Sequence, residues 1–597
     1  MRNLDPNLTI AERAKRIRTL NSPEQVSKFI EESRKATTSE MVIEAWINAL
    51  LSGPQTHATN IASNMLIAGA SIPENMLASV IGKALRHTDR IRAGEMLGEI
   101  SAIGQGALDG IRAGARAYMT ETPTDMASKL EMPRLKSIPS KKIGTIKGVD
   151  IEIGGRQVRI PGRLLLAEDE FFKAIGYRQE INAAAIRQAT KEKLKGRQFK
   201  ERVAELVNNP TKQIRDAAEQ RAEYQTFTKP LGPMGQAVQK FANGHPLMRI
   251  PLTFIRTPTN ILKYAGERSI LALASKEVRA SLKGQKGEIQ QSRSMARIIM
   301  GSSIAAGAYK LAAEGMATGG GPTDPKERAI MYATGWQPYS LKIGNMYYSY
   351  NRFGGFGNIV GIAADMHDIA DRMTDPEADD IGMLLASSIA KNVTSQTWTK
   401  SASDIIEAVS DPDRYGDRYI QNLAGTVVPT GVAQVSRIND PYLREINSVM
   451  DAIKSRTPYS TELPYRRDRW GEPIKLGGSF GPDLISPIYL SKINRDPVNI
   501  ELKKLGVFPA RVPKNIRGIE LTPKQYEDFQ IYAGRSAKMQ LDSMIGQDGW
   551  SSLPDFAKRE YITKVIDRTR DMARKVMLLK YPDIMRQVNE ARMEELK

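Results

Sequence analysis

The feature that most constrains this chain is a pair of helix-like segments that contain many small residues. The first, Ser294–Tyr309, reads SMARIIMGSSIAAGAY, and the second, Asn358–Ala370, reads NIVGIAADMHDIA. Small side chains bury little apolar area each, so such helices need close backbone contact with several neighbours. This composition predicts a part made for assembly, and neither segment carries a residue expected to be catalytic.

A strand-like pair lies between these two segments. Residues 339–343 and 346–350 flank Gly344-Asn345, a turn signal because tight primed turns require positive φ at their centre. The sequence therefore predicts a helix–hairpin–helix arrangement within residues 294–373. Alternation of apolar and polar residues predicts a second small hairpin over residues 145–160, with Gly154-Gly155 as its turn.

Three glycines recur at every fourth position near the start of the chain: Gly106, Gly110 and Gly114. On a helix they form one stripe, along which a second backbone can approach closely. The alternative interpretation is an exposed helix that these residues weaken, since each costs about 1 kcal/mol relative to alanine. We favour the first interpretation and assign the glycines to helix packing.

The chain is strongly basic. Its 597 residues include 86 Lys and Arg against 67 Asp and Glu, a formal charge of +19, which favours a polyanionic partner. The densest basic cluster faces one acid, Glu192, and is our candidate polyanion site, formed by Lys191, Lys193, Lys195, Arg197 and Lys200. It lacks interleaved aromatic residues, so base stacking is not indicated. A solvated helix face explains the cluster equally well.

Several classes of chemistry have no sequence signal. The chain has no cysteine, which excludes disulfides, thiolate metal sites and cysteine catalysis. No metal-binding spacing, serine-nucleophile elbow or phosphate-binding loop is present, and the four histidines are scattered: His57, His87, His245 and His367. We therefore predict no catalytic residue, metal or cofactor, and no enzyme activity.

The N-terminus has no signal-peptide core, and no apolar run reaches the roughly 18 residues of a spanning helix. The longest uncharged stretch, residues 45–73, is interrupted by SGPQTHATN at residues 52–60, and a helix break is expected at Pro73. We therefore expect a protein that is soluble when made.

At this length several helical subdomains are expected. The predicted fold is mainly α and elongated, with one or two small β-hairpins and a long extended proline-rich arm lying along a partner subunit. The predicted segments are 1–120 (small-residue helices), 121–165 (irregular, with a hairpin), 166–293 (basic helical), 294–373 (helix–hairpin–helix), 374–454 (acidic helical), 455–521 (proline-rich arm) and 522–597 (C-terminal helical).

Five stretches of the sequence resemble large polyvalent proteins carried by phages and prophages. They are Trp46–Asn64, Glu170–Asn182, Phe254–Ile261, Tyr350–Asn358, and Ser455–Pro464 with Trp470–Pro473. In such proteins this region often follows an enzymatic part, commonly one that cleaves peptidoglycan, and we expect no such part in this sequence. The resemblance is to the C-terminal region of those proteins.

The resemblance implies an internal virion, or ejection, protein of a short-tailed phage. Such a protein sits near the portal inside the virion, leaves with the genome, and helps to form a conduit across the host envelope. The implied partners are other copies of itself, other internal virion proteins, the portal, phage DNA through non-specific contacts, and the host membrane after ejection. Segments 61–85, 98–118 and 298–317 are the candidates for lipid contact. The competing hypotheses are a peptidoglycan-degrading virion enzyme and a DNA-binding packaging or core protein.

Overall fold

The computed structural model describes residues 36–123, 136–146, 149–244, 252–373, 380–395, 412–476 and 485–595, together with residues 404, 407 and 408. Over these residues the protein is mainly α, as predicted. Outside the described residues lie residues 1–35 of the first predicted segment, His245, and residues 374–379 at the start of the predicted acidic helical segment.

The first half of the chain is a succession of helices. They are α1 (Thr38–Leu51), α2 (Pro54–Ala84), α3 (Ala93–Thr120), the short α4 (Gly155–Val158), α5 (Ile160–Lys191), α6 (Gly196–Asn208), α7 (Lys212–Gln225), α8 (Pro233–Gly244), α9 (Arg256–Glu267), α10 (Lys276–Leu282) and α11 (Glu288–Ala313). Two strands, β1 (Ser140–Ile146) and β2 (Val149–Gly154), form an antiparallel pair before α4.

The second half mixes helices with short strands. They are α12 (Pro325–Ala333), β3 (Ser340–Ile343), β4 (Met346–Ser349), α13 (Gly354–Ala370), α14 (Asp380–Ser395), α15 (Pro412–Gly425), α16 (Thr430–Asn439), α17 (Val449–Lys454), β5 (Leu490–Lys492), α18 (Pro497–Leu505), β6 (Asn515–Ile516), β7 (Ile519–Glu520), α19 (Pro523–Ile545), α20 (Asp555–Lys580) and α21 (Pro582–Glu595).

The predicted helix–hairpin–helix is confirmed by α11, β3, β4 and α13. The hairpin pairs Ser340 with Ser349 and Ile343 with Met346. Of its two turn residues only Gly344 has positive φ, at 60°, which matches a turn with glycine at the first central position. A third strand, β5, then pairs antiparallel with β4, Leu490 lying opposite Tyr348.

The second hairpin exists, but its predicted register is wrong. Its strands are β1 and β2, so Gly154 ends a strand rather than forming the turn, and residues 155–158 are helical. Contacts with residues distant in the sequence explain the difference. The Arg156 N–H donates to Ser140 Oγ at 2.9 Å, and buried Arg159 contacts Glu44 and Glu121 at 3.0 and 2.8 Å. Alternation alone did not reveal those partners.

Helix α2 runs unbroken through Pro73, contrary to the predicted break. Proline removes one backbone hydrogen bond inside a helix, a cost that tertiary packing can outweigh. Here Ile67 is buried on one side of the proline, and Glu74, Asn75 and Ala78 are buried on the other. Packing therefore holds both halves of α2 in one helix of 31 residues.

Much of the proline-rich segment 455–521 has no helix, and it lies along its own chain rather than projecting from it. Isolated bridges join Arg444 to Tyr465 and Tyr442 to Lys475. Trp470 is buried, and its Nε1–H donates to Asn499 Oδ1 at 2.9 Å. Trp470 packs with α18, α19 and α20 of the same chain, so the segment is joined to its own chain at this point. Contact of the segment with a partner subunit stays a prediction.

The apolar core is divided into several small clusters. One joins Ala78 and Met96, from α2 and α3, to Ala296 on α11. Another joins Trp470 to α18, α19 and α20. Helices from different predicted segments therefore share cores, and the cluster between α2, α3 and α11 places the surface described next.

Candidate interaction surface

The three predicted glycines lie against α5. A Cβ added to Gly106 would be 2.9 Å from the Ile175 Cα, and one added to Gly114 would be 2.8 Å from the Ala167 carbonyl oxygen. All three glycines are buried, and α3 also buries Gly98, Ala102 and Ala117. The side of α3 that faces the protein is therefore made mostly of its smallest residues, and Glu95, Met96 and Glu99 are the larger residues buried with them.

The opposite side of α3 carries five of its large apolar residues. Leu97 is 73% exposed and Ile111 is 61% exposed, and Ile100, Leu108 and Met119 are also exposed. A soluble helix normally buries such residues and exposes polar ones. Contiguous exposed apolar surface marks a site of contact with a protein or a membrane. We call this face the outer stripe of α3.

Helix α2 shows the same inversion. It buries Ser63, Asn64, Glu74 and Asn75, among others. Its exposed apolar residues are Ile61, Met65, Leu66, Met76 and Val80. Among the described residues α2 is the one helix that is long and apolar enough to cross a membrane. Its most apolar 18-residue stretch has a mean hydropathy of 1.3, and only 28% of that stretch is buried. This corrects the expectation that no such run exists, although length and composition are the only basis for it.

Charged residues occupy the space between these helices. Glu180 on α5 accepts hydrogen bonds from Arg221 on α7 and Arg293 on α11, both at 3.0 Å. Arg221 also donates to Glu99 on α3 at 2.8 Å, and Arg187 lies 3.8 Å from Glu180. Burial alone would raise the pKa of Glu180, but the three arginines outweigh it and hold the pKa well below its usual range.

A second group of ion pairs adjoins the first. Glu74 on α2 accepts from Arg268 at 2.6 Å and from Arg297 at 2.7 Å. Arg297 also donates to Glu267 at 3.3 Å, and the Arg268 guanidinium lies 3.3 Å from the centre of the Tyr264 ring. Burial raises the pKa of Glu74, but the two arginines bring it below its ordinary value. We call the two groups together the inner charge network.

A polar cavity of about 400 Å³ lies beside the inner charge network. Each arginine that lines it (Arg221, Arg268, Arg293 and Arg297) already contacts a carboxylate. A general acid for glycosidic cleavage needs a raised pKa. The pKa values of Glu74 and Glu180 are lowered, and Lys263 and Lys286 bring that of Glu277 down to about 2. Glu74 and Glu277, which line this cavity, are therefore held ionised by neighbouring cations.

The predicted basic cluster lies at the junction of α5 and α6, and all five of its residues are exposed. Lys191 pairs with Asp89 at 2.8 Å, and Arg197 pairs with Glu201 at 2.7 Å. Lys193, Lys195 and Lys200 make no ion pair with any described residue. The cluster is brought together in space, but two of its five charges are already paired.

Three of the stretches that carry the sequence resemblance meet in space. Residues of Trp46–Asn64, Phe254–Ile261 and Tyr350–Asn358 line one mainly apolar cavity of about 450 Å³. Beside it, His57 Nδ1 lies 2.7 Å from Glu168 Oε1, and Asn60 donates to Glu168 Oε2 at 2.8 Å. Burial lowers the pKa of His57, but the Glu168 carboxylate outweighs it and raises the pKa above its ordinary value.

Sequence analysis missed the inner charge network and the outer stripe. The ion pairs join helices far apart in the chain, and no local pattern connects them. The outer stripe did have a sequence signal, because its apolar residues recur on the helix face opposite the glycines.

Comparison with known proteins identifies no relative of this chain. No protein family, curated protein or solved structure matches this chain.

Proposed function

We propose that this protein is a structural component of a multi-copy assembly, of the internal virion or ejection type. In this proposal it sits near the portal and helps to form a conduit for phage genome delivery across the host envelope. One observation carries the proposal: α2 and α3 bury mostly small, polar and charged residues, with Ile67 and Met96 among the exceptions, and expose ten of their large apolar residues.

The distribution of polar and apolar residues on a helix indicates what surrounds that helix. A polar interior with paired charges and an apolar exterior is the arrangement expected where helices meet lipid or other helices rather than water. The inner charge network supplies paired charges, and α2 supplies 31 helical residues, a length of about 46 Å. A bundle of this kind can remain in a protein assembly and later face a membrane.

The experiment is a vesicle flotation assay with the full chain. We expect association with vesicles containing anionic lipid, and its loss when Met65, Met76 and Val80 of α2 are all changed to serine. The matched control changes three exposed apolar residues elsewhere to serine: Met539, Phe556 and Leu579. The control should float like the unmodified protein. No flotation of the unmodified protein at any lipid composition would reject the membrane role.

The virion location has its own test. Mass spectrometry of purified particles should detect the protein before genome ejection and find it depleted from the emptied particles afterwards. Persistence in emptied particles would contradict a role in ejection.

DNA binding is the second candidate function, because Lys193, Lys195 and Lys200 are exposed without ion pairs among described residues. Such a cluster suits non-specific phosphate contact. The peptidoglycan-degrading alternative gains no support from Glu74 and Glu277 of the polar cavity, whose pKa values are lowered where cleavage needs a raised one.

A further inference from the structure

We infer that the outer stripe of α3 is the contact surface for the same helix of a second copy of this chain, packed antiparallel. This deepens the proposed function and rests on it for the biological role, since it names the partner of one of the two inverted helices.

The outer stripe repeats with a period of eleven residues. Leu97, Leu108 and Met119 occupy one position, Ile100 and Ile111 a second, and Gly104 and Ala115 a third. Eleven residues in three turns is 3.67 residues per turn, close to the 3.6 of a straight α-helix. The stripe therefore runs nearly parallel to the helix axis for about 33 Å, which suits a second straight helix along its whole length.

The two halves of the stripe are complementary in size. If two copies pack antiparallel about a two-fold axis between residues 107 and 108, Ile100 of one copy faces Ala115 of the other. In the same register Gly104 faces Ile111. A Cβ built on Gly104 would meet no atom within 4 Å in the single chain, so the space for the partner side chain is open. A two-fold axis of this kind gives a self-complementary interface.

The charges beside the stripe favour the same orientation. Arg112 and Arg116 are exposed, and both lie in the C-terminal half of α3. The exposed polar residues of the N-terminal half are uncharged, Ser101 and Gln105. Parallel packing would set the arginines of the two copies side by side, whereas antiparallel packing sets them against the uncharged half. Like charges at such spacing are destabilising.

A lipid surface requires an apolar face but neither a fixed period nor paired large and small positions. The repeat and its size pattern therefore favour a helical partner for α3. Contact of the outer stripe with lipid alone is the competing outcome of the test.

The absence of cysteine makes the chain suitable for engineered cross-linking. Leu97→Cys and Met119→Cys proteins, mixed under mild oxidation, should form a disulfide-linked heterodimer. Leu97→Cys alone should form little disulfide dimer, because antiparallel packing separates the two Leu97 positions by about 30 Å along the axis. Spin labels at Leu97→Cys should report that separation. Dimers of Leu97→Cys alone would show parallel packing and overturn the inference.

Gly104→Leu fills the space that the second copy needs, and it should lower the heterodimer yield at least tenfold. The matched control is Gly307→Leu, an exposed glycine within α11 that also has open space around it, and it should leave the yield unchanged. Circular dichroism of both variants checks that the helices persist. A full yield with Gly104→Leu would overturn the inference.

The membrane role and the antiparallel pairing of the outer stripe can be rejected independently of each other. Vesicle flotation without any cross-link at α3 would reject the paired stripe and leave the membrane role intact. Cross-linking without flotation would keep the paired stripe and reject the membrane role.

Discussion

Gly110 of α3 lies so close to Phe171 of α5 that a Cβ on the glycine would be 2.7 Å from the Phe171 carbonyl oxygen. The same Cβ would be 3.1 Å from the Phe171 Cα. Both are backbone atoms, so no side-chain rotation can relieve the overlap. The separation of the two helices is therefore set by the absence of a side chain at this position.

Gly110→Ala is expected to destabilise the protein by about 1 to 3 kcal/mol, because the two backbones must separate to admit the methyl group. Chemical denaturation monitored by circular dichroism measures this change. The control is Gly104→Ala on the same helix, where a Cβ meets no atom within 4 Å. It should stabilise the protein by up to about 1 kcal/mol through helix propensity. Equal effects of the two substitutions would contradict the close-packing interpretation.

Glu180→Gln should destabilise the protein by about 3 kcal/mol, because it leaves Arg221 and Arg293 buried without their shared carboxylate. The control is Glu560→Gln, which removes an exposed pair with Lys564 and should have no measurable effect. Urea denaturation at neutral pH compares the two. A small effect of Glu180→Gln would show that the arginines find other partners.

The Glu180 effect should depend on pH. Its pKa is lowered in the folded protein, so its stabilisation is fully present above the unfolded value near 4.5 and decreases as the pH falls below that. The difference in unfolding free energy between the unmodified protein and Glu180→Gln should therefore be constant from about pH 5 to 7 and smaller at pH 3. A difference that grew in acid would contradict the assignment.

The pair of His57 with Glu168 should stabilise the protein most at low pH, which is the opposite of the pH dependence expected for Glu180. Glu168 raises its pKa above the ordinary 6.5, so the contribution is fully present below that value and is lost as the pH rises through the folded pKa. NMR titration of the His57 ring should give a raised pKa in the unmodified protein and a lower one in Glu168→Gln. Thermal melting should show the two proteins converging as the pH rises through the raised pKa of His57.

The basic cluster can be tested through salt dependence. If it contacts duplex DNA, changing Lys193, Lys195 and Lys200 to Gln should reduce the slope of log affinity against log salt by about 2 to 3. A control triple at scattered exposed lysines, Lys283, Lys326 and Lys575, makes the same change in net charge. Equal slopes for the two triples would assign DNA binding to overall charge and not to the cluster.

The mainly α fold and the central hairpin were predicted from the sequence, and the reasons are local. The pattern of Gly106, Gly110 and Gly114 marks one face of a helix, and Gly344 marks a turn, because both depend only on neighbouring residues. The break predicted at Pro73 was wrong, since packing of Ile67 and Ala78 decides the path of α2 and is invisible locally.

The candidate site was predictable only in part. The outer stripe of α3 can be read from the sequence as an eleven-residue repeat, but deciding that it faces outward requires knowing that the glycines face α5. The inner charge network could not be predicted, because Glu74 and its partner Arg297 are separated by more than two hundred residues. Pairing at that distance is a property of the folded chain.

The third strand of the central sheet has a consequence for biosynthesis. Tyr348 is translated about 140 residues before Leu490, its partner in β5. While the ribosome adds the residues between them, the open edge of β4 can be captured by any other extended segment. Correct folding of the central region therefore depends on how soon β5 is synthesised after β4. A nascent chain that stalls before Lys492 would leave the hairpin exposed to aggregation.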